Sequence, residues 1–312
     1  MAILECIPNF SEGRDPIILE ALRQSIIQAG DVALLHHAAD PDHHRAVYTF
    51  AGEASAVCEA AYRAVGTAAQ YIDLTRHRGV HPRMGATDVL PLVPLKDISL
   101  TECADYARAL GERIGRDLAL PVYLYEAAAS RPERVNLADV RRGGYELLRE
   151  NISLPQRQPD FGPAHVGPAG ACIVGARDLL IAFNVFLQTS DVSIAQAIAR
   201  RLRGANGGYT GVKALGLLVE GKAQVSMNIT QVWAVSLAQI VADIQQQAQA
   251  AHTEIDHSEL IGLMPWRTLT HAMHEDALID AAHGLHLGDF TLRRVLEIAL
   301  HEAGSDVGLL GP

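Results

Sequence analysis

The stretch RGVHPRMGATDVLPLVPL, residues 78–95, places His81 directly before a proline and an arginine, between Gly79 and Gly85. A structural histidine normally sits inside a helix or strand. One bracketed by glycines lies where the backbone bends and can hold an imidazole in open space. An unperturbed imidazole titrates at about pH 6.5, so this one can accept and return a proton near neutrality. Arg83, two residues on, has the fork geometry to hold a carboxylate, and Asp88 can orient either side chain. His-Pro-Arg is not a mechanistic motif in itself. The plain alternative is a turn in which Arg83 pairs with Asp88 and His81 caps a helix end.

A second cluster, HHAADPDHHRAV, gathers His36, His37, Asp40, Asp42, His43 and His44. Imidazoles and carboxylates at this density raise the possibility of a divalent metal. Successive strand residues point to opposite faces, however, so only one histidine of each pair could serve a given site. No HExxH spacing is present, and a solvated hairpin turn is the simpler reading. No metal is therefore expected, and Asp40 is assigned as the orienting or proton-sharing partner of His81. Arg45, just after the cluster, joins Arg83 as a candidate clamp for substrate carboxylates.

The third stretch, PDFGPAHVGPAGA at 159–171, contains neither GxGxxG nor a Walker A pattern. Few bulky side chains let its backbone amides approach a flat ligand, and it also reads as an interdomain linker. QVSMN (224–228) and IPNFSEG (7–13) put Asn and Ser at expected strand ends, where turn and cap roles are commonest. No Gly-x-Ser-x-Gly elbow occurs and no cysteine has a nearby base, which disfavours nucleophilic hydrolysis.

The elements that must position these residues follow from periodicity. ILECIPNF reads as a strand. DPIILEALRQSIIQAG reads as a helix with Asp15 as N-cap, Pro16 in the first turn, Ile18, Leu22 and Ile26 on one face, and Gly30 as its stop. DVALLHHA and RAVYTFAG are strands, 54–73 a helix, and TDVLPLVPL a strand. A helix follows with Ser99 and Glu102 as a capping box, then the strand PVYLYE. The second half, after SLPQRQPDFGPAHVGPAG, offers LLIAFNVFLQ as a strand and SIAQAIARRLR as a helix. VKALGLLVEG and KAQVSMNIT form a hairpin through Glu220-Gly221, residues 233–251 a helix, and EIDHSELIGLMP a last strand. Each half is thus βαββαβ, a ferredoxin-like α/β (α+β) unit. The expected divisions are 1–158, a linker at 159–175, and 176–312. The helix-free sheet faces are expected to enclose a ligand cleft, with the loop 203–211 at its border.

At 312 residues, 49% hydrophobic and 20% charged, the chain is long and apolar enough for two globular units. A net charge of −10 argues against nucleic acid as a partner. No apolar run approaches the roughly 20 residues of a membrane span, and the N-terminus lacks a signal-peptide pattern. Cys6, Cys58, Cys103 and Cys172 lie apart in apolar segments, so free buried thiols and a reducing cytoplasm are expected.

Taken in order, ECIPNFSEGRD, DPDHHRAVYTFAGE, HRGVHPRMGATDVLPLVPL, LPVYLYEAA, PDFGP, LLIAFNVFL, QVSMN and ELIGLMP closely resemble the glutamate formiminotransferase (formimidoyltransferase) family over nearly the whole chain. The resemblance implies a cytoplasmic, dimeric, two-subdomain transferase of histidine degradation. Such enzymes move the formimino group of N-formimino-L-glutamate to N5 of tetrahydrofolate, the co-substrate. It implies that His81 is catalytic and that the folate-binding segment comprises Gly162, Pro163, Ala164, His165, Val166, Gly167, Pro168, Ala169, Gly170 and Ala171. Animal members carry a cyclodeaminase domain, so a separate cyclodeaminase is an expected partner here. Where many members have Asn before the arginine of the second hairpin, this chain has His44, and where members often have Glu before the histidine it has Val80. The alternatives are a one-carbon transferase with a formyl donor such as 5-formyltetrahydrofolate, a folate-binding protein that has lost catalysis, and a metal-dependent hydrolase built on the 36–44 histidines.

Overall fold

A computed structural model describes residues 1–79, 82–272 and 274–304. The chain divides into two units, Met1–Arg177 and Asp178–Pro312. The first contains β1 (Ile3–Cys6), β2 (Asn9–Phe10), α1 (Pro16–Ile27), β3 (Val32–Asp40), β4 (Arg45–Glu53), α2 (Ala54–Tyr71), β5 (Thr87–Lys96), α3 (Leu100–Asp117), β6 (Val122–Glu126), α4 (Leu137–Val140), α5 (Gly144–Asn151) and β7 (Cys172–Ala176).

Local chemistry sets the helix starts. The Asp15 carboxylate accepts from the Ile17 and Ile18 amides and Pro16 opens the first turn, so α1 begins where the capping pattern requires. Its buried residues are Leu22 and Ile26. Ser99 and Glu102 form the reciprocal capping box of α3. On α2, Val57, Ala61 and Val65 are buried, along with Ala54, Ala60, Ala64 and Ala68. Small side chains there let the helix lie close against the sheet.

In the first sheet β1 and β2, two pieces of one interrupted strand, lie between β4 and β5 and run antiparallel to both. β3 pairs with β4 at one edge, which completes the βαββαβ arrangement. Beyond β5 the sheet continues with β7 and then β6, both parallel to their neighbours. The expected linker 159–175 lies within this first unit. Val122 donates its amide to the Phe161 carbonyl at 2.9 Å, and the last residues of the stretch are β7 itself. The CIVGA run is a short apolar strand whose partners, β5 and β6, are distant in sequence. Nothing local distinguishes it from a loop closing.

The second unit contains β8 (Ile181–Leu187), α6 (Val192–Leu202), β9 (Val212–Val219), β10 (Lys222–Ile229), α7 (Leu237–Ala250), β11 (Ile255–Ile261), α8 (Glu275–Gly284) and α9 (Leu296–Glu302). Its antiparallel sheet has the order β11-β8-β10-β9, the same βαββαβ topology. Glu220 and Gly221 turn the β9–β10 hairpin with φ of 50° and 76°, the two positive angles a tight hairpin turn needs. Ser226 and Asn228 sit inside β10 rather than at a strand end, opposite Asn184 and Ala182 of β8. α7 starts later than residue 233 because Ser236 caps it. The 203–211 loop is tied by the Gly208 amide to the Arg203 carbonyl at 3.0 Å and by Tyr209 to the Asp243 carboxylate. Among the described residues no helix is long and apolar enough to cross a membrane.

Gly170 holds φ at +71°, and a Cβ there would stand 2.2 Å from the Met84 carbonyl oxygen. Gly170→Ala is expected to destabilise the first unit by more than the ~1–2 kcal/mol of a left-handed L-residue alone, because the backbone contact must also open. A urea titration would show it as a lower midpoint, and an unchanged midpoint would refute the close approach.

Candidate functional site

Val80 and His81 lie outside the described residues, so the site is built from what holds the chain on either side. On the near side, buried His77 donates from Nε2 to the His44 carbonyl at 2.9 Å and accepts at Nδ1 from Arg83 Nε at 3.0 Å. Those partners require the neutral ring with its proton on Nε2. At Gly79 a Cβ would meet the His43 carbonyl at 2.5 Å and the His44 Cβ at 2.8 Å. The chain thus passes against the β3–β4 turn, too close for any side chain. On the far side, Arg83 grips Glu146 of α5 with both Nη atoms, at 3.0 and 2.8 Å, while its carbonyl accepts from the Tyr145 amide at 2.9 Å. The Arg83 hydrogen bond holds Glu146 below the usual carboxylate range.

The histidine-rich cluster folds as the β3–β4 turn. Asp40 Oδ1 accepts from the Asp42 and His43 amides at 2.8 and 2.9 Å, and its Oδ2 lies 2.5 Å from His43 Nδ1. Burial alone would raise Asp40, but the His43 side chain and amide bring it below its ordinary value. His44 takes a left-handed backbone, φ 50°, and stacks on His77 with ring centroids 4.3 Å apart. Its Nδ1 accepts from the Gly13 amide at 3.1 Å, and Glu12 Oε1, 3.4 Å away, collects the amides of Gly13, Arg14 and Asp15. Burial lowers the affinity of both His44 and His77 for a proton. Among the described residues no group of His, Cys, Asp and Glu is arranged to hold a metal ion.

Asp88 does not pair with Arg83, the plain alternative raised by the sequence. It is wholly buried at the start of β5, where Oδ1 accepts from the Met84 amide at 2.7 Å. Its Oδ2 is shared by Arg45 Nη1 at 2.8 Å and Arg141 Nη2 at 2.9 Å. Burial pushes the Asp88 carboxyl up, but the two guanidinium groups outweigh it and hold the group ionised. Arg45 also donates from Nε to Asn9 Oδ1 at 3.1 Å, so Asn9 orients a guanidinium as well as bonding the Ile7 carbonyl. Arg141, Glu146, His77 and Glu12 escaped the sequence reading. Arg141 follows α4 as the first of a pair of arginines with no periodic or motif signal, and only folding brings it to β5.

The stretch 162–171 runs beside the segment that follows His81. The Ala86 amide donates to Ala169 at 2.8 Å and the Ala171 amide to Met84 at 3.0 Å, around a Gly85–Gly170 bridge. Pro168 accepts from the Leu74 amide at 2.8 Å, and Tyr145 donates its hydroxyl to the Gly167 carbonyl at 3.3 Å. Gly167 to Ala171 are therefore occupied in backbone packing, whereas Gly162, Pro163, Ala164 and His165 are exposed and Val166 is buried. Cys6, Cys103 and Cys172 are buried and outside any disulfide; burial pushes Cys6 and Cys172 well up and Cys58 to about 12, so none of those last three is an activated thiolate.

Two measurements check these electrostatics. Asp88→Ala leaves two guanidiniums facing each other without their anion and is expected to cost about 3–5 kcal/mol in urea unfolding; a loss near zero would contradict the shared carboxylate. The neutral His44–His77 pair contributes stability that is complete above the ordinary value of 6.5 and drains as pH falls from there toward the depressed folded values. Each unit of depression is worth about 1.4 kcal/mol. Buried Glu5, raised by burial to about 7, acts in the opposite sense over the same window, so the comparison is with His77→Gln. Below pH 6.5 the wild type should lose stability faster than this variant; parallel profiles would argue against a neutral pair.

A sequence profile described as the formiminotransferase domain, N-terminal subdomain, matches residues 3–177, and one described as the formiminotransferase domain matches 182–280. Glutamate formimidoyltransferase of Thermoplasma acidophilum is 41% identical over 98% of this chain and 99% of its own length. The protein of the same name from Streptococcus pyogenes serotype M1 is 42% identical over 95% and 97%. Formimidoyltransferase-cyclodeaminase of Rattus norvegicus is 39% identical over 86% of this chain and 51% of its own length. With both profiles placed in order along it and such relatives matched almost end to end, the chain belongs to the formiminotransferase family.

Proposed function

We propose that this chain is a glutamate formimidoyltransferase, moving the formimino group of N-formimino-L-glutamate to N5 of tetrahydrofolate and releasing glutamate. The names of its near full-length relatives support the activity. The observation that carries the assignment to this site is the backbone pairing of Met84–Ala86 with Ala169–Ala171. It brings the glycine- and proline-rich stretch assigned to folate beside the segment that follows His81.

In this mechanism N5 attacks the formimino carbon to give a tetrahedral intermediate. His81 takes the proton from N5 and returns one to the departing glutamate nitrogen as its bond to carbon breaks, so the ring ends as it began. Asp40 serves His81 as orienting partner. Arg45 and Arg83 hold substrate carboxylates, and residues 162–171 bind the folate, with the exposed Gly162–His165 free to meet it. Holding both reactants face to face supplies up to roughly 7–11 kcal/mol of the barrier reduction. The working form in this proposal is a cytoplasmic homodimer of histidine degradation. Its subdomains follow the two units, 1–177 and 178–312, with the folate segment inside the first, and a separate cyclodeaminase consumes the product.

The test offers purified protein tetrahydrofolate and formiminoglutamate and follows the appearance of 5-formiminotetrahydrofolate. His81→Gln is expected to lower turnover by roughly 10²–10⁴-fold while folate still binds. No product with this donor but transfer from a formyl donor would reassign the substrate. Full turnover in the variant would remove His81 from its role.

A further inference from the structure

Arg45, Asp88 and Arg141 form a buried group of two cations and one anion. Asp88 is fully enclosed, and the Arg45 and Arg141 side chains keep only 11% and 15% of their exposure. Among the described residues neither guanidinium has a second carboxylate, and Arg141 Nε is buried with no partner. Nearby charges do not cancel the surplus. Arg142 is tied to Asp139, and Arg157 donates to the Val140 and Arg142 carbonyls. In a chain of net charge −10, an uncompensated positive charge has been assembled out of bulk water. A buried cation without its anion is costly, and a fork of guanidinium donors is the group best matched to a carboxylate.

The group also sits at the right place. Asp88 binds the Met84 amide, and the α4–α5 segment that delivers Arg141 is docked on Arg83 through Tyr145 and Glu146. Both contacts fall on the segment that follows His81. Burial lowers Arg45 to about 10, with Asp88 opposing and Arg141 adding to the fall. Without Arg141, Asp88 would still keep Arg45 and the Met84 amide as partners, so the three side chains together carry one positive charge in excess.

We propose that Arg45 and Arg141, braced by Asp88, form the seat of a substrate carboxylate, with Arg141 the second jaw. An incoming carboxylate completes an alternating square of two guanidiniums and two anions. The proposal rests on the transferase reading above, in which the donor and the glutamyl tail of the folate both carry carboxylates. Either one can be the occupant.

The test uses the full chain and the variants Arg141→Met and Arg141→Lys. In R141M the KM of one substrate is expected to rise roughly tenfold to a hundredfold, with R141K intermediate and kcat changed far less. A rise for formiminoglutamate identifies the donor as occupant, and a rise for tetrahydrofolate identifies the tail. R141M should melt no lower than the wild type, because the remaining Arg45–Asp88 pair is balanced. Independently of activity, glutarate should raise the melting temperature of the wild type and not of R141M, whereas its neutral diamide should raise neither. A lower melting temperature with both KM values unchanged would make Arg141 merely structural and overturn the proposal. So would glutarate stabilising both proteins alike or neither. Absence of transfer by the wild type, with the glutarate response intact, would instead count against the transferase reading alone.

Discussion

The close approach of two backbones, Met84–Ala86 and Ala169–Ala171, is the contact on which the first unit's site depends. Gly85 and Gly170 meet where a Cβ on either would strike the opposing chain, 2.1 Å from the Ala171 carbonyl oxygen in one case and 2.2 Å from that of Met84 in the other. Hydrogen bonds on both sides of the bridge satisfy amides that would otherwise be buried without partners. From this crossing β5 and β7 run on side by side as parallel strands. The segment after His81 and the glycine- and proline-rich stretch are therefore fixed by one feature, and side chains positioned by either are positioned relative to both.

Around that crossing the first unit handles charge in two ways. Near the β3–β4 turn it keeps the imidazoles of His44 and His77 neutral. His77 is held between a carbonyl it donates to and an arginine it accepts from, and His44 stacks against it with its Nδ1 accepting an amide. At the start of β5 it does the reverse, burying an ionised carboxylate under two guanidiniums. Low dielectric makes both arrangements stringent, since a misplaced proton or a missing partner is not screened by water. Arg83 links the two regions. It is an acceptor's partner to His77, an anion's partner to Glu146, and through its carbonyl the dock for α5.

Much of the fold was legible because its determinants are local. Asp15 with Pro16, and Ser99 with Glu102, mark helix starts through bonds spanning two or three residues, and they form as the spacing requires. Alternation and periodicity set out the βαββαβ order of each half. The strand β7 was not legible. Its five residues are flanked by a loop-like stretch, and what makes them a strand is the gap between β5 and β6 that they fill. The candidate site divides in the same way. His81 drew notice from its glycine brackets and gained an expected role only from the ordered family stretches, while Arg141 carried no signal at all.

By itself, then, the sequence determined where capped helices such as α1 and α3 begin, which residues alternate into a core, and to which family the ordered stretches belong, because each is written in short-range pattern. Tertiary structure decided which charge meets which. Asp88 is taken by Arg45 and Arg141 rather than by Arg83, five residues away, and Arg83 turns instead to Glu146 on α5. Pairing of buried charges depends on which groups the packed elements bring together away from water, and spacing along the chain does not encode it.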